Sequence, residues 1–208
     1  MEQIPKQNNS KKNCFILWDK LIYEYIHRQW RGSSDSTVAN NLTSIEHAPI
    51  LYTPIPEDSW KAALKEIADK AKINNADVSV ALMKPVLYHM YCMKRISAPD
   101  SKYAIEVDHI IPQALFKISL IDRKEILQDS LYNLGLLPKD ENISKSDKKL
   151  SSIDNPWLKE QVAKYESVST DKEITEFSNI TNYDKLFKKR KKLFDEAYGC
   201  CRNDLINN

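Results

Sequence analysis

The chain has 208 residues, with 31 lysines and arginines against 29 aspartates and glutamates and a net charge of +2. That length allows one real core, alone or with a helical annex, and the near balance of charge means nucleic-acid binding would have to rest on local clusters. The three glycines, Gly32, Gly135 and Gly199, leave no glycine-rich phosphate loop and no dinucleotide fingerprint.

The polar start, residues 1–13, reads as a disordered tail rather than a targeting sequence. Cys14, Cys92, Cys200 and Cys201 form no CxxC pair and nothing spaced for a zinc ribbon. Free thiols in a lysine-rich chain fit a reducing cytoplasm. No stretch reaches the ~20 apolar residues of a membrane span.

From Cys14 to Arg31, Phe15, Leu17, Trp18, Leu21, Ile22, Tyr25, Ile26 and Trp30 keep helical spacing, and the stripe is read as core rather than as a stacking platform. Gly32 to Ser36 ends this helix, and the proline-rich residues 46–56 form an extended connector. A second helix follows, with Trp60, Leu64, Ile67, Ala68 and Ala71 on one face. A third spans Val78 to Ile96, bent or restarted at Pro85, with His89 packed in the core. Ser97 to Asp100 is the hinge into the next unit.

Ala104 to Pro112 reads as a short strand stopped by proline, with Glu106 and Asp108 on one face and Ile105 and Val107 opposite. Its Asp108-His109 pair sets a hard oxygen ligand beside a group that titrates near neutrality, which suits a metal next to a general base. Helical material fills residues 113–130. Leu131 to Pro138 reads as a second strand, and Asp140 to Leu150 as a helix with acids early and lysines late. Beyond it, helices are expected from Asn155-Pro156, from Thr170 or Asp171 to Phe177, and from Tyr183 to Ile206. The last carries Leu186, Phe187, Leu193, Phe194 and Ala197 inward. Lys188, Lys189, Arg190, Lys191 and Lys192 are expected on its outer face, as a phosphate-binding run or a solubilising one.

Strand, excursion, strand and helix can bring Asp108, His109, Asn133 and Asn142 to one pocket. This ordered set, EVDHIIPQ then Asn133, Asn142 and Lys145, resembles the HNH (ββα-metal) nuclease motif in its version with two later asparagines. DHIIPQALF, DSLYNLGLLPKDENISKSDKKL, Asn155 to Leu158 and Trp30 to Ser36 together resemble the C-terminal nuclease half of GmrSD-type proteins, which are modification-dependent restriction and phage-defence enzymes.

The resemblance implies an α+β, mainly helical fold: a ββα-metal core over residues 99–158, a helical annex over 14–98 and C-terminal helices over 159–208. It implies a metal-dependent endonuclease acting on DNA in restriction or defence. His109 is then the general base that activates water, and Asn133 orients its imidazole. Asp108 and Asn142 hold one divalent cation, Mg²⁺ first, with Mn²⁺ or Ni²⁺ as substitutes. Lys145, with Lys148 behind it, faces the substrate phosphate, and Glu106 lines the site. In longer relatives an NTP-binding domain controls cleavage, so a separate regulatory subunit is an expected partner. Two alternatives stay open: a non-catalytic DNA-binding module on the same scaffold, and an RNA-cleaving toxin.

Overall fold

A computed structural model describes residues 8–27, 53–69, 80–97 and 104–207. The Trp30 to Ser36 stretch, most of the 46–56 connector and residues 98–100 of the expected hinge lie outside that set.

Helix α1 (Asn8–Ile26) begins ahead of the expected start at Cys14. Two stripes separate on it. Ile16, Asp19, Ile22 and Ile26 are buried, while Trp18, Leu21 and Tyr25 are 40–43% exposed. Helix α2 (Glu57–Ala68) buries Trp60, Ala63, Leu64, Ile67 and Ala68, the face its spacing predicts. Helix α3 (Val80–Met93) runs unbroken through Pro85, where a bend or restart was expected. Trp18 and Tyr25 line a groove of about 760 Å³ with Lys84, Tyr88, Cys92 and Arg95 from α3 and the turn after it. None of the motif residues lines this groove, which makes it an annex feature.

A buried polar bolt ties the first of these helices to the end of the chain. Arg202 donates to both carboxylate oxygens of Asp19, at 2.8 and 2.6 Å, and to the Ile55 carbonyl at 2.6 Å. The Trp60 indole donates to the same aspartate at 3.2 Å. His89 lies beside them, wholly buried and packed against Trp60 and Tyr198. Burial pushes its imidazole down to about 4, so it sits neutral in the core.

Strands β1 (Ile105–His109) and β2 (Leu134–Pro138) pair antiparallel, with Ile105 opposite Pro138, Asp108 opposite Gly135 and His109 opposite Leu134. The excursion between them holds α4 (Gln113–Lys117) and α5 (Lys124–Leu127). Leu131–Asn133, expected to open the second strand, is a single 3₁₀ turn capped by Ser130 instead. Helix α6 (Lys139–Lys145) follows β2 directly. It stops short of the expected end at Leu150 because Ser146 turns to a φ of 47°.

Helix α7 (Pro156–Gln161) starts as expected, with the Asn155 side chain accepting from Trp157 and Leu158. It passes into a π-helical turn, Val162–Glu166, whose wider spacing turns both Tyr165 and Glu166 inward. Thr170 caps α8 (Asp171–Phe177). Helix α9 (Tyr183–Glu196) continues through a second π-helical turn, Ala197–Cys201, into α10 (Arg202–Asn207).

The described chain is therefore mostly helical around one small antiparallel sheet, an α+β arrangement. None of its helices is long and apolar enough to cross a membrane. β2 is buried on both faces and divides the interior. Leu134 and Leu136 join Trp60, Met90, Tyr165 and Phe194 on one side, and Leu137 joins Ile110, Phe116, Val162 and Leu186 on the other. The first of these cores draws on residues before and after the expected boundary near residue 98.

Arg190 departs from its expected place on an outer basic face. It is wholly buried, donating to the Leu134 carbonyl at 2.5 Å and to Ser167 Oγ at 3.2 Å. The reason is periodicity: Leu186, Arg190, Phe194 and Ala197 form one inward stripe. The lysines around it stay outside but carry partners: Lys188 meets Asp184 at 3.3 Å, Lys191 meets Asp195 at 2.6 Å, and Lys189 meets Glu173. These are largely exposed pairs on a solvated face, each worth little to stability.

Candidate active site

The site is built around the end of β1. Strand alternation turns Glu106 and Asp108 toward α6, and turns His109, the last strand residue, to the opposite face. The strand ends at His109, short of the expected proline stop: the chain bends at Ile110 and Ile111, and Pro112 opens α4.

On the α6 side, two contacts hold strand and helix together. Asn142 donates to Glu106 Oε2 at 3.0 Å. One helical turn later Lys145 donates to Asp108, to the His109 carbonyl at 3.0 Å, and to both oxygens of Glu166 at 3.0 Å. Glu106, Asp108, Asn142 and Lys145 thus line one seam. Lys145 itself is wholly buried, so its ammonium faces carboxylates and not a phosphate in solution. Lys148 is exposed in the turn that follows α6, not on the helix.

Glu166 is a participant that sequence reasoning missed. It is wholly buried and accepts from Lys145 with both oxygens, and Lys145 bonds Asp108 as well. Burial, helped by the Asp108 charge, pushes its carboxyl well above the usual carboxylate range in spite of Lys145. Burial alone would lower Lys145, yet Asp108 and Glu166 together hold it above its ordinary value. Both shifts have one origin: a single buried ammonium is shared between two carboxylates with no water to screen them. No pattern in Val162 to Val168 announces this acid, because it takes a π-helical turn to aim it inward.

Gly135 makes the approach possible. It sits opposite Asp108 in the sheet, and a Cβ there would fall 2.7 Å from Glu166 Cγ and 3.4 Å from the Tyr165 carbonyl oxygen. Gly135→Ala is expected to cost about 1–3 kcal/mol by overpacking. A lower urea midpoint at unchanged slope would show it, and an unchanged midpoint would mean that the contact is looser than described.

On the other face, His109 Nε2 lies 2.9 Å from Asp129 Oδ1. Gln113 Nε2 donates to the same oxygen at 2.7 Å and lies 3.2 Å from the imidazole nitrogen. The carboxylate is the acceptor in this triangle, so the neutral imidazole carries its proton on Nε2 and its lone pair on Nδ1. Both side chains keep some access to solvent, His109 at 21% and Asp129 at 14%. Gln113 stands four residues beyond His109, a spacing that the helix start made legible. Asp129 had no cue.

Asn133 does not bond the imidazole. Wholly buried, its amide accepts from the Ile111 N–H at 2.9 Å and donates to the Ile111 carbonyl at 3.0 Å and the Gln128 carbonyl at 2.8 Å. Its backbone carbonyl accepts from Ile110 at 2.8 Å. It therefore clamps the chain just after His109 to the end of the excursion, and fixes where the imidazole starts rather than where its ring points.

The donors on the α6 seam suit a hard divalent cation. Two carboxylates and an amide oxygen are oxygen ligands, and the Asn142 amide, giving its nitrogen to Glu106, keeps its oxygen for another partner. Among the described residues no three His, Cys, Asp or Glu side chains cluster as a complete metal cage, so water and substrate would have to supply the remaining positions.

No curated protein and no solved structure matches this chain. A family model does, over residues 58–196: GmrSD restriction endonucleases, C-terminal domain. That match takes in the whole sheet, the Asp108–Lys145–Glu166 cluster and the His109–Asp129 pair, and the chain belongs to this family of restriction endonuclease domains.

Proposed function

We propose that this chain is an HNH-type endonuclease that hydrolyses DNA phosphodiester bonds with one divalent metal, in restriction or phage defence. The observation that carries this reading is the His109–Asp129 pair at the end of a strand whose other face presents Glu106 and Asp108 toward Asn142 and Lys145 on α6.

In this mechanism Asp129 accepts a hydrogen bond from His109 Nε2–H, which stays on the ring and leaves Nδ1 to take a proton from the attacking water. As the imidazolium forms, the same carboxylate compensates its charge. Asp108 and Asn142 would hold the metal, with Glu106 alongside. The cation, Mg²⁺ in the first instance, supplies charge neutralisation at the scissile phosphate and the leaving oxygen. Lys145 holds Asp108 in place from behind, with Glu166 as its counterweight. It acts through Asp108 rather than on the phosphate.

The test is a supercoiled plasmid incubated with the purified chain and Mg²⁺, Mn²⁺ or Ni²⁺. Nicked or linear product is expected, and EDTA is expected to abolish it. Should no metal support cutting, alone or with an added NTP-binding partner, the enzymatic reading fails and a DNA-binding module is left. Preference for RNA over plasmid would redirect it to an RNA-cleaving enzyme.

A further inference from the structure

The excursion between the strands ends in an apolar tip with no partner in the fold. Among the described residues Ile118 is 81% exposed and Leu120 102%, ahead of Ile143 at 62% and Trp157 at 50%. Such a pair could belong to a slack loop, but this one is braced. Ser119 Oγ donates to the Phe116 carbonyl at 2.7 Å and accepts from Ile121 N at 3.4 Å. Lys124 Nζ reaches back to the carbonyls of Lys117 and Ser119, at 3.0 and 3.1 Å. Phe116, at the base, is wholly buried in the second core. The fold therefore holds two aliphatic side chains out in water on a stiff mount.

Position and charge narrow what they meet. Helix α4 runs from Gln113, which touches Asp129 beside His109, straight to Ile118. The base of the tip thus stands about 7–8 Å along the helix from Gln113, at ~1.5 Å per residue. Lys117 and Arg123 are exposed on either side of it, and Lys149 lines a hollow together with Ile118. Asp122 and Glu125 are the acids of the same loop. An aliphatic tip between cations matches a base step between phosphates, since base faces are the apolar part of a duplex and the phosphates flank them.

We infer that Ile118 and Leu120 form a wedge that enters and unstacks a base step of bound duplex DNA next to the scissile phosphate. This rests on the nuclease reading above and adds the way the substrate is held: bent or opened at the cut, not straight. A second copy of the chain docking on this tip is the competing occupant.

The experiment first maps cuts in the plasmid, then uses short duplexes spanning one cut with 2-aminopurine at the flanking step. Binding of the full chain carrying His109→Ala is expected to raise the fluorescence several-fold. Adding Ile118→Ser and Leu120→Ser should remove that rise while keeping affinity within about threefold. In the otherwise unaltered chain the same pair of substitutions should slow cutting of paired duplex about tenfold or more, and leave cutting of a duplex with a mismatch at that step near the original rate. Equal rates on both substrates, or an unchanged fluorescence rise, would overturn the wedge while leaving the nuclease intact. A dimer in sedimentation that the two serines dissolve would assign the tip to a second copy and overturn it as well. A chain that neither binds nor cuts DNA removes both readings together.

Discussion

His109→Ala is expected to lower plasmid cutting by about 10²–10⁴-fold, the usual contribution of a positioned general base. Its side chain is partly exposed and packs on Asp129 and Gln113 rather than in either core, so the loss should come without unfolding. A urea midpoint close to that of the unaltered chain would check this. Asp129→Asn tests the other half of the pair. The amide can still accept from Nε2, but it carries no charge to stabilise the imidazolium, so a smaller fall of roughly tenfold or more is expected. An Asp129→Asn chain that cuts at full rate would remove Asp129 from the mechanism. A His109→Ala chain that still cuts would remove the mechanism itself.

Lys145→Met carries the largest expected effect on stability. It leaves Asp108 and Glu166 buried side by side without their cation, and breaking a buried charge cluster from one side costs about 3–5 kcal/mol. Glu166→Gln should cost less, because burial already works against charge on that carboxyl and the amide keeps an oxygen to accept from Lys145. Combined with Lys145→Met, Glu166→Gln should recover part of the loss, a coupling that a double-mutant cycle reads directly.

The pH dependence has a definite sign. The folded Glu166 carboxyl lies above its unfolded value, so the folded state binds more protons in that interval. Its contribution is complete below the ordinary carboxylate value and is lost as pH rises toward the folded one. Lys145, also raised, contributes below the ordinary lysine value and loses that contribution above it. In Lys145→Met protonation of the buried Glu166 relieves charge left without its cation, so the variant should lie closest to the unaltered chain at low pH. Urea titrations at several pH values would show a gap that widens toward alkaline pH. A constant gap would mean that the lysine acts by packing alone.

Much of the fold was legible because local chemistry spoke for it. The proline stop at Pro138, the Asn155-Pro156 helix start, the Thr170 cap and the apolar face of α2 each report a backbone preference that neighbours do not override. So does the order of Asp108, His109, Asn133 and Asn142, which carried the family resemblance. Roles were less legible than membership. Asn133 and Lys145 belong to the motif, but their side chains spend their bonds on the Ile111 backbone and on two buried carboxylates.

Arg190 shows how a charge run misleads. Five consecutive basic residues suggest one cationic face, but a helix cannot point five neighbours the same way, and the middle one falls on the Leu186–Phe194 stripe. Spacing alone could have said so. For Asp129 and Glu166 no spacing could. Each meets its partner across a long loop, and Glu166 also needs a π-helical turn and a missing Cβ at Gly135.

Short-range order, then, is written in the chain: where strands stop, where helices start, and which residues travel together as a nuclease motif. Which charges face each other is a property of packing. Burial strips water from Asp108, Lys145 and Glu166 and leaves them to one another, and electrostatics that weak in solution become decisive only once the folded backbone has closed around them.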